Sequence, residues 1–219
     1  PVRAPQMQAY MKSALPFLGI PAPLRRTLQA EAVAAHPASN VDELARAMHT
    51  LWREARCREE RYAAMELARE RPHRALLGPD LLPIYEEMIV DGAWWDYCDD
   101  ISGTAIAALL QRHPARMKPL LRRWARGPDL WLRRAAMLCQ RRMKAGFDAV
   151  LLYDCILPSI GRGRFADEFF IRKAVGWALR ERSYAAPDEV RAFLREYDAQ
   201  LAPLTRREAL KALQRRGGV

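Results

Sequence analysis

Trp95 and Asp99 stand one helical turn apart, in a stretch after Gly92 whose apolar residues recur with helical spacing. The apolar stripe of that stretch consists of Trp94, Cys98, Ile101, Ala105 and Leu109. Because Trp95 lies off this stripe and Asp99 follows it at i+4, the two side chains are predicted to share a face. An ionised carboxylate can stabilise positive charge that develops in a reaction, so Asp99 is the first candidate for a catalytic group.

A structural role competes with this interpretation of Asp99. Asp96 and Asp100 flank it, and acidic residues in the first turn of a helix are favoured by the helix dipole. That role suits Asp96 well. It explains Asp99 less well, because a dipole interaction requires neither a tryptophan neighbour nor facing arginines. Carboxylates in structural ion pairs are also common, so both interpretations stay open at this point.

Trp177 is the second aromatic residue that departs from a core pattern. In the helix predicted around residues 167–181, the core stripe consists of Ile171, Ala174, Val175 and Ala178. Trp177 falls on the opposite side, between Lys173 and Arg180. An aromatic ring on a basic face is typical of proteins that stack against a sugar or a base. The alternative is that a loop or a neighbouring helix covers the ring, since tryptophan is usually largely buried.

Positive charge is concentrated in one segment of the chain. Residues 112–144 contain eleven Lys or Arg and a single acid, Asp129, so this segment alone carries as much charge as the formal net +10 of all 219 residues. In the last helix a second basic face is formed by Arg207, Lys211 and Arg215. A concentrated basic zone indicates a binder of a polyanion such as nucleic acid. Basic patches also serve membranes and other partners, and a solvated arginine-rich face is the simplest alternative.

The remaining residues disfavour several classes of site. The four cysteines are widely spaced and lack matching histidines, which argues against zinc and disulfides and fits a reducing cytosol; they are Cys57, Cys98, Cys139 and Cys155. The run Gly161-Arg162-Gly163-Arg164 follows no strand, so we interpret it as a flexible basic loop rather than a phosphate cradle. No apolar run approaches the ~20 residues that cross a bilayer, and Pro1-Val2-Arg3 shows no signal peptide. We therefore expect a cytoplasmic protein without a membrane segment, a metal or a cofactor.

Helix signals dominate the chain, and strand signals are nearly absent. Asn40 followed by Glu43 resembles a capping box. Gly78-Pro79-Asp80 is expected to close one helix and open the next, and Pro203 suits the first turn of a helix. Short loops between many helices predict an all-α protein.

A weak internal repeat organises these helices. The pattern Arg-Ala-Ala-Met at residues 134–137 recurs loosely at 173–175 and 207–210, in steps of 39 and 34 residues, and a related run stands at 61–65. A period near this length with two helices per unit predicts a HEAT-like repeat α-solenoid. Stacked repeats bring equivalent positions together, so a basic concave face is expected from Asp99, Arg134, Lys173 and Arg207. We predict one domain over residues 1–219.

Five motifs occur in order from Tyr10 onward: Tyr10-Met11-Lys12 with Phe17-Leu18-Gly19-Ile20; Trp94-Trp95-Asp96-Tyr97-Cys98-Asp99; Trp131-Leu132-Arg133-Arg134-Ala135-Ala136; Phe169-Phe170-Ile171-Arg172-Lys173-Ala174-Val175-Gly176-Trp177; and Leu201-Ala202-Pro203-Leu204-Thr205-Arg206-Arg207-Glu208-Ala209. In this order they resemble the bacterial AlkD family of alkylpurine DNA glycosylases, which are built from HEAT-like repeats. Two departures stand out. The first helix of the family, before Tyr10, is expected to be incomplete here, and the loop at 161–165 is longer and more basic.

This resemblance implies a role for each matching residue. The catalytic aspartate falls on Asp99, the two sugar-contacting tryptophans fall on Trp95 and Trp177, and the active-site arginine falls on Arg134. DNA contacts are expected from Tyr10, Lys12, Arg133, Lys173, Arg180, Arg206, Arg207 and Lys211. The implied protein is a monomer that acts on duplex DNA at the bacterial nucleoid, without a metal or a cofactor.

The implied reaction is the hydrolysis of an N-glycosidic bond, as the first step of base excision repair. A purine alkylated at N3 or N7 is already cationic and leaves as a neutral base, so it needs no general acid. Asp99 would stabilise the cationic sugar and position or activate water, while Trp95 and Trp177 present their ring faces to that sugar. Arg134 would hold phosphates near the lesion. The family leaves the lesion stacked in the duplex, which implies tolerance of bulky adducts.

Two other functions remain as alternatives. The first is a non-catalytic HEAT-like protein that binds damaged or branched DNA, since some relatives keep the fold and lose the catalytic residues. The presence of all four residues Trp95, Asp99, Arg134 and Trp177 favours the enzyme. The second is a helical scaffold for proteins, which explains neither the basic segment at 112–144 nor Trp177 on a polar face.

Overall fold

The computed structural model describes residues 3–143 and 146–217, and these form helices and short turns with no strand among them. The α-helices are α1 (Ala4–Met11), α2 (Ala22–Ala35), α3 (Val41–Arg53), α4 (Arg58–Glu66), α5 (Leu82–Gly92), α6 (Trp95–Ile101), α7 (Ala107–Arg112), α8 (Pro114–Arg126), α9 (Leu130–Leu138), α10 (Ala149–Ile156), α11 (Phe169–Ser183), α12 (Pro187–Glu196) and α13 (Pro203–Gly217). The predicted all-α class is confirmed. Within the described ranges, no helix combines the length and the apolar character that a membrane crossing requires. The side chains of Lys144 and Arg215, which belong to the predicted basic surfaces, lie outside the described residues.

Polar caps begin several of these helices where the sequence predicts them. The side chain of Asn40 accepts a hydrogen bond from the backbone of Glu43 at 2.9 Å, as a capping box requires. The carboxylate of Glu43 reaches back to the amide of Ser39 rather than to Asn40, so the box closes one residue earlier than predicted. Pro203 is the first residue of α13, as its missing N–H favours. Gly78-Pro79-Asp80 leads into α5 through a short 3-10 turn.

The helices group into two compact units, which divide within α5 between Met88 and Ile89. In the first unit, α3 buries an apolar stripe of Leu44, Met48 and Trp52. The carboxylate of Glu59 accepts hydrogen bonds from the backbone amides of residues 18–20, which ties the segment before α2 to α4. The candidate catalytic residues all belong to the second unit. That residues 1–219 act as one domain stays a prediction.

Hydrogen bonds between helices of the second unit recur at a nearly constant separation along the chain. Arg134 bonds to Asp99 across 35 residues, and Lys173 bonds to Glu208 across the same 35 residues. Six further bonds between helices of this unit span 32 to 36 residues. The bonds of Arg180 to Glu208 and of Arg182 to Glu189 are shorter in sequence, at 28 and 7 residues. A recurrent offset of this size is what stacked helical pairs produce, and it agrees with the HEAT-like repeat predicted from the sequence. The basic concave face stays a prediction.

Close helix packing holds the last repeat together. α11 passes α13 at Gly176, where a Cβ atom would lie 2.6 Å from the Cβ of Glu208 and 2.7 Å from the carbonyl oxygen of Thr205. Any larger side chain would force the two helices apart, because interiors pack at near-crystalline density. The absence of a side chain at position 176 therefore sets how closely Glu208 approaches the basic residues of α11.

Candidate active site

An aromatic cluster fixes the first turns of α6, α9 and α11 against one another. Trp94 precedes α6, Trp131 is the second residue of α9, and Phe170 is the second residue of α11. The Phe170 ring centroid lies 5.5 Å from that of Trp94 and 5.0 Å from that of Trp131. Aromatic rings in such edge-on and tilted arrangements pack favourably. The three helices therefore enter the site with fixed relative positions.

Asp99 and Arg134 meet in a bidentate ion pair next to this cluster. The Nε and Nη2 atoms of Arg134 donate to the two carboxylate oxygens of Asp99, each at 2.8 Å. The residues are only 7% and 3% exposed. Nη1 of Arg134 donates to the carbonyl of Phe170 at 2.6 Å, so the guanidinium is anchored on both sides. A planar fork on both oxygens fixes the orientation of the carboxylate and leaves further lone pairs available.

This geometry separates the two interpretations of the acidic residues in α6. Asp96 lies in the first turn, where the helix dipole favours a negative charge. Asp99 is instead buried and bound by an arginine from a neighbouring repeat. The helix dipole therefore accounts for the position of Asp96, whereas the position of Asp99 is explained by its ion pair with Arg134. Arg134, for its part, orients a carboxylate in this structure rather than standing ready for a phosphate.

Trp177 is partly exposed on α11 and lies among charged groups. Its Nε1 atom donates to Glu181 at 2.9 Å. The guanidinium carbons of Arg141 and Arg180 lie 4.8 Å and 5.9 Å from the ring centroid, within range of cation–π attraction. Trp95, the first residue of α6, is also partly exposed and stands one turn before Asp99.

Arg141 belongs to this site although the sequence analysis does not single it out. It follows α9, and its Nη2 atom donates to the backbone carbonyl of Asp99 at 2.8 Å. The same guanidinium lies over Trp177, so Arg141 is the residue that joins Asp99 to the second tryptophan. Because Arg141 lies in the turn beyond the end of α9, helical spacing gave no signal that could have identified it.

Glu208 gathers three of the predicted DNA-binding residues around one carboxylate. Its oxygens accept hydrogen bonds from Lys173 at 2.6 Å, Lys211 at 2.6 Å and Arg180 at 3.0 Å, and the residue is 3% exposed. Burial alone would raise the pKa of Glu208, but the hydrogen bonds from Lys173 and Lys211 lower it to about 2. The sequence analysis missed this residue, because one acid in a basic helix resembles an ordinary solvated charge.

Two other predicted DNA-binding arginines hold the fold together in this structure. Arg133 is 3% exposed, and its guanidinium donates to the carbonyl of Gly127 at 2.7 Å and to Ser159 at 3.1 Å. Arg206 is partly buried and donates to the carbonyl of Leu201 at 3.2 Å. We do not place Arg133 on the DNA-binding surface, because a buried arginine committed to protein carbonyls is not exposed to a phosphate.

The remaining predicted contacts are exposed. Arg207 projects from α13, while Tyr10 is 75% exposed and Lys12 ends α1 with a left-handed backbone (φ 50°). Tyr10 and Lys12 belong to the first compact unit. Exposure permits all three to contact a nucleic acid, and their predicted role stays a prediction.

The loop at 161–165 offers no ready phosphate cradle. The amide of Gly161 donates to the carbonyl of Gln200 at 3.0 Å, and the amide of Gly163 donates to the carbonyl of Ile160 at 2.8 Å. Both glycine donors are thus committed to the protein. Over the described residues, no group of three His, Cys, Asp or Glu side chains could hold a metal ion. Burial raises the pKa of the Cys98 and Cys139 thiols well above the usual value, which makes them poor nucleophiles.

Comparison with known proteins identifies the family of this chain. The sequence profile of the family described as "DNA alkylation repair enzyme" matches residues 1–213. Among solved structures, the chain is similar to a "Predicted DNA alkylation repair enzyme from Enterococcus faecalis", with 29% identity and a TM-score of 0.84 over 97% of this chain and 95% of that one. No curated protein sequence matches the chain significantly. The match over nearly all of the sequence shows that the chain belongs to the DNA alkylation repair enzyme family.

Proposed function

We propose that this protein is a DNA glycosylase that hydrolyses the N-glycosidic bond of cationic N3- and N7-alkylated purines in duplex DNA and leaves an abasic site. The observation that carries the proposal is the carboxylate of Asp99, held by both of its oxygens on Arg134. Family membership supports DNA as the partner and alkylation damage as the target. The glycosylase reaction itself is our inference, from the resemblance of the sequence motifs to the AlkD family and from the chemistry of the site.

Asp99 would act on the sugar rather than on the base. Cleavage gives the sugar oxocarbenium character, and a fixed negative charge stabilises that transition state without having to reorganise. The cationic purine leaves as a neutral molecule, so no second carboxylic acid is needed to protonate it. Arg134 would keep the lone pairs of Asp99 aimed at the sugar or at the attacking water. One oriented carboxylate is then sufficient for the reaction.

The two tryptophans would flank the same sugar. An indole face attracts a cation through its quadrupole, and Trp177 already lies within that range of two guanidinium groups. Trp95 stands one turn before Asp99 on α6. We propose that both rings contact the lesion nucleotide from outside the base stack, so that the base is excised without being flipped into a pocket.

The basic residues around Glu208 would bind the DNA backbone close to Trp177. The side chains of Lys173 and Lys211 are 38% and 43% exposed, although each bonds to Glu208 at one end. A lysine ammonium has three donors, so it can bond to Glu208 and still contact a phosphate. Exposed Arg207 on α13 would extend this surface. Phosphate contacts of this kind position the duplex without reading its sequence.

The decisive experiment measures the release of 7-methylguanine from methylated duplex DNA. We expect the wild-type protein to release it and Asp99→Asn to lower the single-turnover rate by at least ~100-fold, the usual effect of removing one electrostatic stabiliser. Asp96→Asn, in the same helix, is the matched control and should retain the wild-type rate. Unchanged release by Asp99→Asn would remove Asp99 from the mechanism.

A second variant guards against a trivial loss of folding. Asp99→Asn leaves the buried charge of Arg134 without its partner, which can cost about 3–5 kcal/mol of stability. The double variant Asp99→Asn/Arg134→Gln removes both charges, and a melting curve verifies that it is folded. It should be equally inactive. DNA binding by wild type without any release would instead indicate the non-catalytic binding protein.

A further inference from the structure

Arg141 connects the two halves of the candidate site. Its Nη2 atom donates to the backbone carbonyl of Asp99 at 2.8 Å, and its guanidinium carbon lies 4.8 Å from the centre of the Trp177 ring. Asp99 is on α6 and Trp177 is on α11, so one side chain fixes groups from two different helices. Neither the sequence motifs nor the family comparison assigns Arg141 a role.

The backbone next to Asp99 is shaped to receive this guanidinium. Residues 102–106 form a π-helical turn, in which the amide of Ala107 bonds to the carbonyl of Ser102 five residues earlier. Such turns are rare and occur frequently at functional sites. A Cβ atom at Gly103 would lie only 2.8 Å from the guanidinium carbon of Arg141. The guanidinium of Arg141 therefore lies against Gly103, a position that has room for it only because it is glycine.

Holding Arg141 in this place costs free energy. Its Nε and Nη1 atoms are buried and, among the described residues, have no hydrogen-bond partner. Burial and the nearby charge of Arg142 lower the pKa of the Arg141 guanidinium. Unpaired buried donors of this kind are rare in proteins, and each costs about 1–3 kcal/mol. Because burying these unpaired donors destabilises the fold, we look for the role of Arg141 in the reaction.

We propose that Arg141 is a positioning residue: it fixes the backbone of Asp99 and the ring of Trp177 relative to each other, so that carboxylate and indole act on the same sugar. The inference rests on the proposed glycosylase function. The guanidinium performs this task through its shape, because one of its nitrogens donates to a carbonyl while its carbon lies over an indole ring. A lysine in its place would keep the charge and lose the stacking plane.

The rate of base release, measured apart from DNA affinity, tests this role. We expect Arg141→Ala to lower the single-turnover release of 7-methylguanine by about 100-fold, since small displacements of reacting groups have effects of that size. The dissociation constant for the same DNA should change less than about threefold. Added millimolar guanidinium should restore part of the rate, and urea, which is similar in shape but neutral, should restore much less. Arg141→Lys should be nearly as slow as Arg141→Ala.

Two further variants sharpen the result. Gly103→Ala keeps Arg141 but displaces its guanidinium, so it should reproduce the slow release, and added guanidinium should not rescue it. Arg195→Ala removes an exposed arginine of the same unit and should retain the wild-type rate. A weaker affinity that accounts for the whole loss, with a salt dependence reduced by about one phosphate contact, would overturn the proposal and make Arg141 a DNA ligand.

A spectroscopic measurement keeps the test independent of catalysis. The indole N–H signal of Trp177, assigned in a ¹⁵N spectrum by its loss in Trp177→Phe, should shift in Arg141→Ala and in Gly103→Ala and stay unchanged in Arg195→Ala. If the wild-type protein releases no 7-methylguanine, the proposed function fails, while this signal still reports whether Arg141 anchors Trp177. An unchanged signal in both variants would refute the anchoring itself.

Discussion

Two buried carboxylates of the second unit, Asp99 and Glu208, each bond to a basic residue 35 positions away, Arg134 and Lys173, but they are bound in opposite ways. Asp99 is held by one arginine through two parallel bonds of 2.8 Å. Glu208 is shared among three cations from α11 and α13. A bidentate arginine fixes the direction of a carboxylate, whereas several separate cations neutralise it. The first arrangement suits a group that must face a reaction, and the second suits one that organises a surface.

Of these three predictions, the largest effect is expected from a substitution that keeps the positive charge at position 134 and removes the bidentate contact with Asp99. Arg134→Lys should lower the rate of 7-methylguanine release by roughly 100-fold, because a single ammonium cannot hold both oxygens of Asp99. Single-turnover kinetics with saturating protein measure this loss. The corresponding exchange at the other carboxylate, Lys211→Arg, should change the free energy of unfolding by less than about 0.5 kcal/mol. If Arg134→Lys and Lys211→Arg lowered the free energy of unfolding by similar amounts, the contrast between the two carboxylates would not hold.

An effect of intermediate size is expected on the free energy of unfolding when the pH is lowered. Because the pKa of Glu208 in the folded protein is lowered to about 2, its ion pairs stabilise the fold above the ordinary glutamate pKa and lose that contribution as the pH falls toward 2. The loss should amount to about 2–3 kcal/mol at low ionic strength, reduced by salt because the lysines are partly exposed. Urea unfolding at pH 7 and at pH 3 measures it. In Glu208→Gln this share of the pH dependence should vanish; an identical pH dependence in both proteins would show that Glu208 does not carry it.

The smallest effect concerns DNA affinity. Binding of undamaged duplex should weaken steeply with salt, because lysine–phosphate contacts release counterions. Lys211→Ala should reduce the slope of log affinity against log salt by about one, and Lys173→Ala should do the same. Arg133→Ala should leave the slope unchanged if its buried guanidinium serves only the fold. A slope reduced by about one in Arg133→Ala would return that residue to the DNA-binding surface.

Periodicity and the repeat predicted the centre of the site well, for physical reasons. Asp99 could be placed next to Arg134 because stacked repeats bring equivalent positions together, and the structure brings the two residues into contact. The i+4 spacing placed Asp99 one turn after Trp95 on the same short helix. Where helical geometry determines direction, the sequence was sufficient.

Residues outside regular geometry could not be predicted in this way. Arg141 follows the end of α9, where helical spacing no longer determines where a side chain points. Arg133 and Arg134 are adjacent arginines, and residue type alone does not distinguish their roles. Neighbouring helix positions differ by about 100° in direction, so Arg133 bonds to carbonyls of the protein and Arg134 bonds to Asp99. Glu208 was overlooked because its three cations come from two helices and only the fold brings them together.

The constant offset between repeats has a consequence for how such a site is inherited. Because Asp99, Arg134 and Trp177 come from different helical pairs, no pair alone contains the site, and the junction between these pairs is the unit that must be kept. Gain or loss of a whole repeat elsewhere leaves that junction intact. Gene rearrangements that respect repeat boundaries can therefore lengthen or shorten such a chain around an unchanged candidate site.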